Sequence, residues 1–240
     1  RIGLAMCGSG GCIEFLYWPW IWAQKGDFVN ADWSASTVDS PEVVNTFQFI
    51  RDIVCVHKIA GDAAGTVWNT MTDLFTGEKT MMIHGAGGQV GLIRSQFPDL
   101  WKRVGVNMIP GREKGQRSSF IGGESVAIAT QSKRKKESLD YLVWLTTTDE
   151  AMTITGEVGW IPGCPSGMNL PVYKQDPQTA AVNAVFLEAL QTGYPAGNDP
   201  RFDEVMSPMQ TAFANLALCE KPVEEIVRET HEEINRILRR

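Results

Sequence analysis

The sequence predicts an α/β fold with short strands and a helix-rich C-terminal third. Three observations carry that prediction. Short apolar runs bounded by glycine or proline, Ile2–Met6, Thr80–Ile83 and Val104–Ile109, read as strands. Longer segments repeat apolar residues three and four positions apart, as Val43, Phe47, Ile50 and Val54 do. Three such segments, 177–190, 202–218 and 222–238, follow one another at the end of the chain with no strand-like run between them.

Taken in order, residues 2–6 form a strand and Gly8 to Gly11 a loop. Residues 13–24 form a helix with Pro19 near its middle. Proline inside a helix costs about 3 kcal/mol, which predicts a kink or a late start. Ser40-Pro41-Glu42 is a helix start, with a capping hydroxyl, proline at the first helical position and an acid in the first turn. Trp68, Met71, Leu74 and Phe75 mark a short helix closed by Gly77, and Thr80–Ile83 is expected to be a buried strand. Gly85 to Gly88 leads into a short helix ending near Pro98. Residues 111–119 are a polar crossover, and Ser125–Ala129 is a further strand. Residues 133–147 form a helix with Leu139, Leu142, Val143 and Thr146 on one face; Asp149 caps the next short helix. The last helix places Val223, Val227, Thr230, Ile234 and Ile237 on one face, with acids early and arginines late to suit its dipole.

The 240 residues carry 22 Lys+Arg against 28 Asp+Glu, a net charge of −6. That balance excludes a surface built to neutralise phosphates, so no nucleic-acid partner is expected. A 43% hydrophobic and 21% charged composition excludes a disordered chain. No apolar stretch approaches the roughly 20 residues of a membrane helix. Arg1 leads directly into a strand-like run, which reads as a chain entered midway, and no signal segment precedes it. The five cysteines have neither CxxC spacing nor a histidine at zinc-finger distance. Cys7 and Cys12 lie close enough to pair, and Cys55 reads as a small buried hydrophobe.

Catalytic patterns are sparse. Gly85-Ala86-Gly87-Gly88-Gln89-Val90-Gly91 follows a strand and opens a helix, a loosened dinucleotide fingerprint. Where such a fold wants an acidic residue this chain has Pro110-Gly111-Arg112, which leaves only an NADP-dependent oxidoreductase as the alternative reading. The other reading of these glycines is a cleft loop where backbone approaches a ligand or another lobe. No G-x-S-x-G occurs; of the three histidines, His84, at a strand end beside the glycines, is the one placed like a site residue. Phe15, Tyr17, Trp18, Trp20 and Trp22 crowd one segment, either as a core face or as a platform on which sugar rings stack. Trp22 is read as core.

Three segments together resemble the extracellular solute-binding proteins of ABC importers, the family 1 group that includes maltose- and other sugar-binding proteins. Leu74-Phe75-Thr76-Gly77-Glu78-Lys79-Thr80-Met81-Met82-Ile83-His84-Gly85 is similar to the family's F-x-x-G-x-x-A-M-x-x-x-G run, with one residue fewer between Phe and Gly. Phe120-Ile121-Gly122-Gly123-Glu124-Ser125-Val126-Ala127-Ile128, then a helix holding Leu142-Val143-Trp144-Leu145, resembles its G-G-x-x-x-A-I strand and following helix; Gly159-Trp160-Ile161-Pro162 sits where the family has G-x-[LI]-P. Pro200-Arg201-Phe202 through Pro222-Val223-Glu224-Glu225 to Ile234-Asn235-Arg236-Ile237-Leu238 resembles its closing pattern. The order and spacing of these motifs, across nearly the whole chain, make the match specific. Gly87 stands where the family often has a sugar-stacking tryptophan.

The resemblance implies a type II periplasmic-binding-protein-like fold, here mostly the C-terminal lobe, residues 1–110 and 160–240. Residues 111–159 would be a crossover belonging to an N-terminal lobe otherwise missing. It implies a receptor, not an enzyme: a carbohydrate or polyol derivative held in a cleft between two hinged lobes, delivered to a membrane ABC permease, with no cofactor and no metal. A periplasmic or extracellular location follows, with a lipid anchor open for the full-length protein. The ligand contacts it implies are Glu14, Phe15, Tyr17, Trp18, His84, Gly85, Gly87, Gly122, Gly123, Glu124, Trp160 and Arg201. For Arg201 the plain alternative is an ion pair with Asp203 or Glu204, and for Trp160 simple packing.

Overall fold

The computed structural model describes residues 1–8, 12–123, 125–195 and 197–240, with the side chain of Glu14 outside that description. In chain order the elements are β1 (Ile2–Ala5), α1 (Ile13–Ala23), α2 (Pro41–Arg51), α3 (Trp68–Thr76), β2 (Thr80–Ile83), α4 (Gly87–Gln96), α5 (Pro98–Trp101), β3 (Ile109–Pro110), β4 (Arg117–Ser118), β5 (Phe120–Ile121), α6 (Lys135–Thr147), α7 (Asp149–Glu157), α8 (Pro177–Thr192), β6 (Tyr194–Pro195), α9 (Phe202–Leu218) and α10 (Val223–Leu238). They form two compact units, one of Arg1–His84, Met108–Ile121 and Thr192–Arg240, the other of Gly85–Asn107 and Gly122–Gln191.

The first unit holds the main core. The α10 face read from its periodicity is the face that is buried, and it packs on α9 and α2. Trp18, Phe47, Phe213 and Ile234 are at most 1% exposed. Burying each such side chain contributes about 1.5–3 kcal/mol, which makes this the centre of stability. Helix α1 runs unbroken through Pro19. The helix continues across Pro19 because burial of Ile13, Leu16, Tyr17, Trp18, Trp20, Ile21 and Trp22 offsets the single lost backbone bond. The strands make three two-stranded ladders: β1 parallel to β2, β3 antiparallel to β4, and β5 parallel to β6, with Phe120 opposite Tyr194. Disulfides join Cys7 to Cys12 and Cys55 to Cys219. The second pair corrects the reading of Cys55 as a mere buried hydrophobe.

Several local expectations change. Helix α2 passes into a π-turn, Asp52–Val56, instead of continuing its regular pitch to Val54. In β2 Thr80 is buried, but Met81 and Met82 are 68% and 56% exposed, because β1 is its one ladder partner among the described residues. Residues 104–108 and 125–129 lie outside any strand, with no ladder partner for them among the described residues.

In the second unit α4 packs with α5, and α7 with α6 and with short 3-10 turns at Pro165–Asn169 and Pro171–Tyr173. The Tyr173 hydroxyl reaches the carbonyls of Met152 (3.0 Å) and Trp160 (3.1 Å), pinning these turns to α7. Thr148, not Asp149, caps α7: its hydroxyl accepts from the Ala151 N–H, and Asp149 becomes the first helical residue. Helix α6 buries none of its residues, and Leu139, Tyr141 and Val143 are each more than half exposed. Its predicted apolar face meets α7 but is not buried by the described residues.

Candidate functional site

Helix α1 carries the aromatic run, and helical geometry divides it. Tyr17 and Trp18, expected at a ligand cleft, are 2% and 0% exposed. Trp18 stacks on Phe28 at 4.6 Å and meets Trp22 and Phe202 edge-on. The Tyr17 hydroxyl donates to the Cys7 carbonyl, and burial raises its pKa far above the usual tyrosine value. Both are core residues, because a helix with this many large apolar side chains must turn most of them inward. Trp22, read as core, is 6% exposed. Phe15 points the other way: it is 42% exposed and meets Phe120 edge-to-face at 4.8 Å. Of the aromatic residues expected to meet ligand on this helix, it is the one whose ring is open to solvent. Glu14 lies on the same helix with its side chain outside the described residues.

His84, at the end of β2, is 9% exposed and packs edge-on against Trp20 at 5.0 Å and Tyr17 at 6.1 Å. Its Nδ1 has no hydrogen-bond partner among the described residues, and burial lowers its pKa to about 4. It is a neutral imidazole in an aromatic box. Trp20 and Phe120, the side chains that frame His84 and Phe15, were not singled out from sequence. Trp20 belongs to the same aromatic run, and Phe120 immediately precedes the Ile-Gly-Gly motif.

In the second unit the glycine loop is explained by backbone packing. A Cβ on Gly87 would stand 2.3 Å from the Gly159 oxygen, and one on Gly91 2.2 Å from the Val158 oxygen. Gly159 itself has φ +87°, a left-handed conformation suited to glycine. Gly85 sits against Gln89, whose side-chain oxygen accepts from the Ala86 N–H. Here the glycines admit another stretch of the chain's own backbone, which accounts for them without a bound pyrophosphate. Trp160 is 44% exposed, and its indole lies 3.4 Å from where a Cβ on Gly88 would be. Gly122 and Gly123 are exposed, and a Cβ on Gly123 would meet nothing within 4 Å. Glu124 lies outside the described residues.

Arg201, the N-cap residue of α9, is committed within the first unit. Its Nε and one terminal nitrogen donate to the two Asp199 carboxylate oxygens at 2.9 and 2.8 Å. The guanidinium also donates to the carbonyls of Leu238 (2.7 Å) and Trp33 (3.0 Å). Its partner is therefore Asp199, neither Asp203 nor Glu204, and the fork ties the start of α9 to the end of α10. Asp199 is held down at about 2 by these hydrogen bonds and the adjacent positive charge. Among the described residues no group of His, Cys, Asp or Glu is placed to hold a metal ion, and no helix is long and apolar enough to cross a membrane.

Comparison with known proteins bears on what these residues serve. A model of the bacterial extracellular solute-binding protein family matches residues 11–181. A protein of Sinorhizobium fredii described as a probable amino-acid ABC transporter periplasmic-binding protein, y4oP, is 26% identical over 188 residues, 77% of this chain and 41% of that one. Among solved structures, maltose-bound MalE3 of T. maritima superposes with a TM-score of 0.83 at 20% identity, over 97% of this chain and 60% of that chain. The GacH receptor of Streptomyces glaucescens, studied with acarbose, gives 0.79 at 21% identity, over 100% and 60%. The fold is thus the α/β fold of the type II periplasmic binding proteins, and the chain spans about three fifths of these structures and two fifths of y4oP.

Proposed function

The chain belongs to the bacterial extracellular solute-binding protein family, and on that premise we propose that it is the larger part of a receptor that hands a carbohydrate or polyol derivative to an ABC permease. The solute is held in a cleft between two hinged lobes of the longer protein, and no bond is made or broken. The protein works in the periplasm or outside the cell. We assign residues 1–110 and 160–240 to the C-terminal lobe and 111–159 to a crossover that belongs to the N-terminal lobe, although the compact units of this chain divide elsewhere. The bare apolar face of α6, inside that crossover, supports this assignment.

One observation carries the ligand class: Phe15, alone among the α1 aromatics assigned to ligand, offers a half-exposed ring, the surface on which a sugar's C–H face packs. Solved relatives described as bound to maltose and to α-D-tagatose support the same class. The dinucleotide alternative is set aside, since the glycine loop is filled by residues 158–160.

The test screens the longer protein proposed to contain this chain by thermal shift against sugars, polyols and amino acids. A sugar or polyol at a hundred times its Kd adds about 2.7 kcal/mol of stability. A shift with amino acids alone would move the ligand to the class named for y4oP and overturn the carbohydrate reading.

A further inference from the structure

The first unit is assembled from three stretches of chain, and its last stretch, Thr192–Arg240, returns after a long excursion. Helices α9 and α10 hold that stretch in place by packing on α2 and on each other. A covalent link reinforces the packing. Cys55 in the π-turn after α2 is bonded to Cys219 at the end of α9, 164 positions later, with the Cα atoms 5.8 Å apart. The other disulfide, Cys7–Cys12, lies wholly within the first stretch.

The setting of Cys219 marks it as more than a chance neighbour. It caps α9 in the left-handed conformation, φ +63°, where glycine is the usual residue because it carries no Cβ. Its carbonyl accepts from the Arg51 guanidinium at 3.5 Å, which anchors the same turn to the end of α2. In this turn the Cys219 sulfur reaches that of Cys55. Both cysteines are half-buried at the margin of the core.

We propose that Cys55 and Cys219 form an oxidation site that locks the returning stretch of the first unit, whatever solute the protein carries. The two thiols give up two protons and two electrons to a disulfide-bearing oxidant, which leaves as two thiols, and one sulfur–sulfur bond forms in the protein. With the bond closed, α9 and α10 open only when the first unit opens as a whole. With it reduced, α9 and α10 are held by packing alone and open more readily. Cys164, a free thiol beside Ser166 in the second unit, takes no part.

The experiment compares the oxidised protein, the reduced protein, a Cys7→Ser/Cys12→Ser control and a Cys219→Gly variant. Glycine suits the left-handed turn, so that variant folds while lacking the thiol. Alkylation before reduction is expected to mark Cys164 and leave Cys55 and Cys219 in one linked peptide pair. Reduction is expected to raise the hydrogen-exchange opening of residues 223–238 on the order of a hundred- to thousandfold, as release of so long a loop implies. The Cys7→Ser/Cys12→Ser control responds to reductant as the parent does. Cys219→Gly exchanges like the reduced protein and ignores reductant. Alkylation of Cys55 or Cys219 in the folded, unreduced protein overturns the proposal, as does unchanged exchange in α10 after reduction.

Discussion

Gly87 and Gly159 touch backbone to backbone: a Cβ on the first would stand 2.3 Å from the oxygen of the second, and a Cβ on the second 2.2 Å from the oxygen of the first. Neither neighbour is a flexible side chain that could swing away. Gly87→Ala is therefore expected to destabilise the protein by about 2–4 kcal/mol, through overpacking against fixed backbone. Gly105→Ala, with nothing within 4 Å, is the control and should stay within about 0.5 kcal/mol. Urea unfolding of the two variants checks the contrast.

His84 makes stability depend on pH. Burial lowers its folded pKa to about 4, below the ordinary value of 6.5, so the unfolded chain takes up the proton first. The stabilisation is complete above pH 6.5 and is lost as pH falls toward 4, a span worth about 3 kcal/mol. Replacing His84 with Phe, which keeps an aromatic ring against Trp20, should flatten that part of the profile. Chemical denaturation at half-unit pH steps reads the slope directly; an equal slope in parent and variant places the titrating group elsewhere.

The Arg201–Asp199 fork predicts a structural role at a position the family motif had suggested for ligand. Arg201→Lys keeps the charge but loses the paired geometry and the donors to Trp33 and Leu238. The melting temperature should fall, while solute affinity in the longer protein stays as it was. Because the Asp199 pKa is lowered to about 2, its contribution is present above the ordinary carboxylate range and disappears as pH falls to 2. Melting curves of the Asp199→Asn variant between pH 2 and 7 should converge on the parent only at the acid end.

Phe15 is the residue on which solute binding should turn. Phe15→Ala in the longer protein is expected to weaken sugar binding roughly tenfold, the equivalent of one lost aromatic contact. Phe49, exposed on α2, is the matching control, since its removal takes away a similar surface ring outside the assigned site. Calorimetric titration of both variants separates a ligand contact from a general loss of fold.

What could be read from sequence was what local pattern encodes. The five inward residues of α10 repeat at helical spacing, and all five are buried. Ser40-Pro41-Glu42 opens α2 with Ser40 extended before it, although the Ser40 hydroxyl expected to cap the helix makes no capping hydrogen bond. The reading failed where a distant partner decides. Residues 125–129 have a strand-like composition but join no ladder among the described residues. Phe15 and Trp18 differ little as residues, yet one is open and the other sealed, because packing by Phe28 and Phe202 chose the face. No local signal tells Cys55 that its partner lies 164 residues away. The Asp199–Arg201 pair, two positions apart, was visible, but two acids closer to the α9 turn competed for the assignment.

The three-stretch construction of the first unit also sets an order of events during synthesis. The stretch Gly122–Gln191 is made before the segment that finishes the main core. Until α9 and α10 emerge, Phe47, Val43 and the rings of α1 lack the helices that cover them. The nascent chain therefore carries this apolar surface uncovered while Gly122–Gln191 is being made, and contacts of such long sequence separation form slowly. Removing α10 would strip from that core the face that packs on α9 and α2.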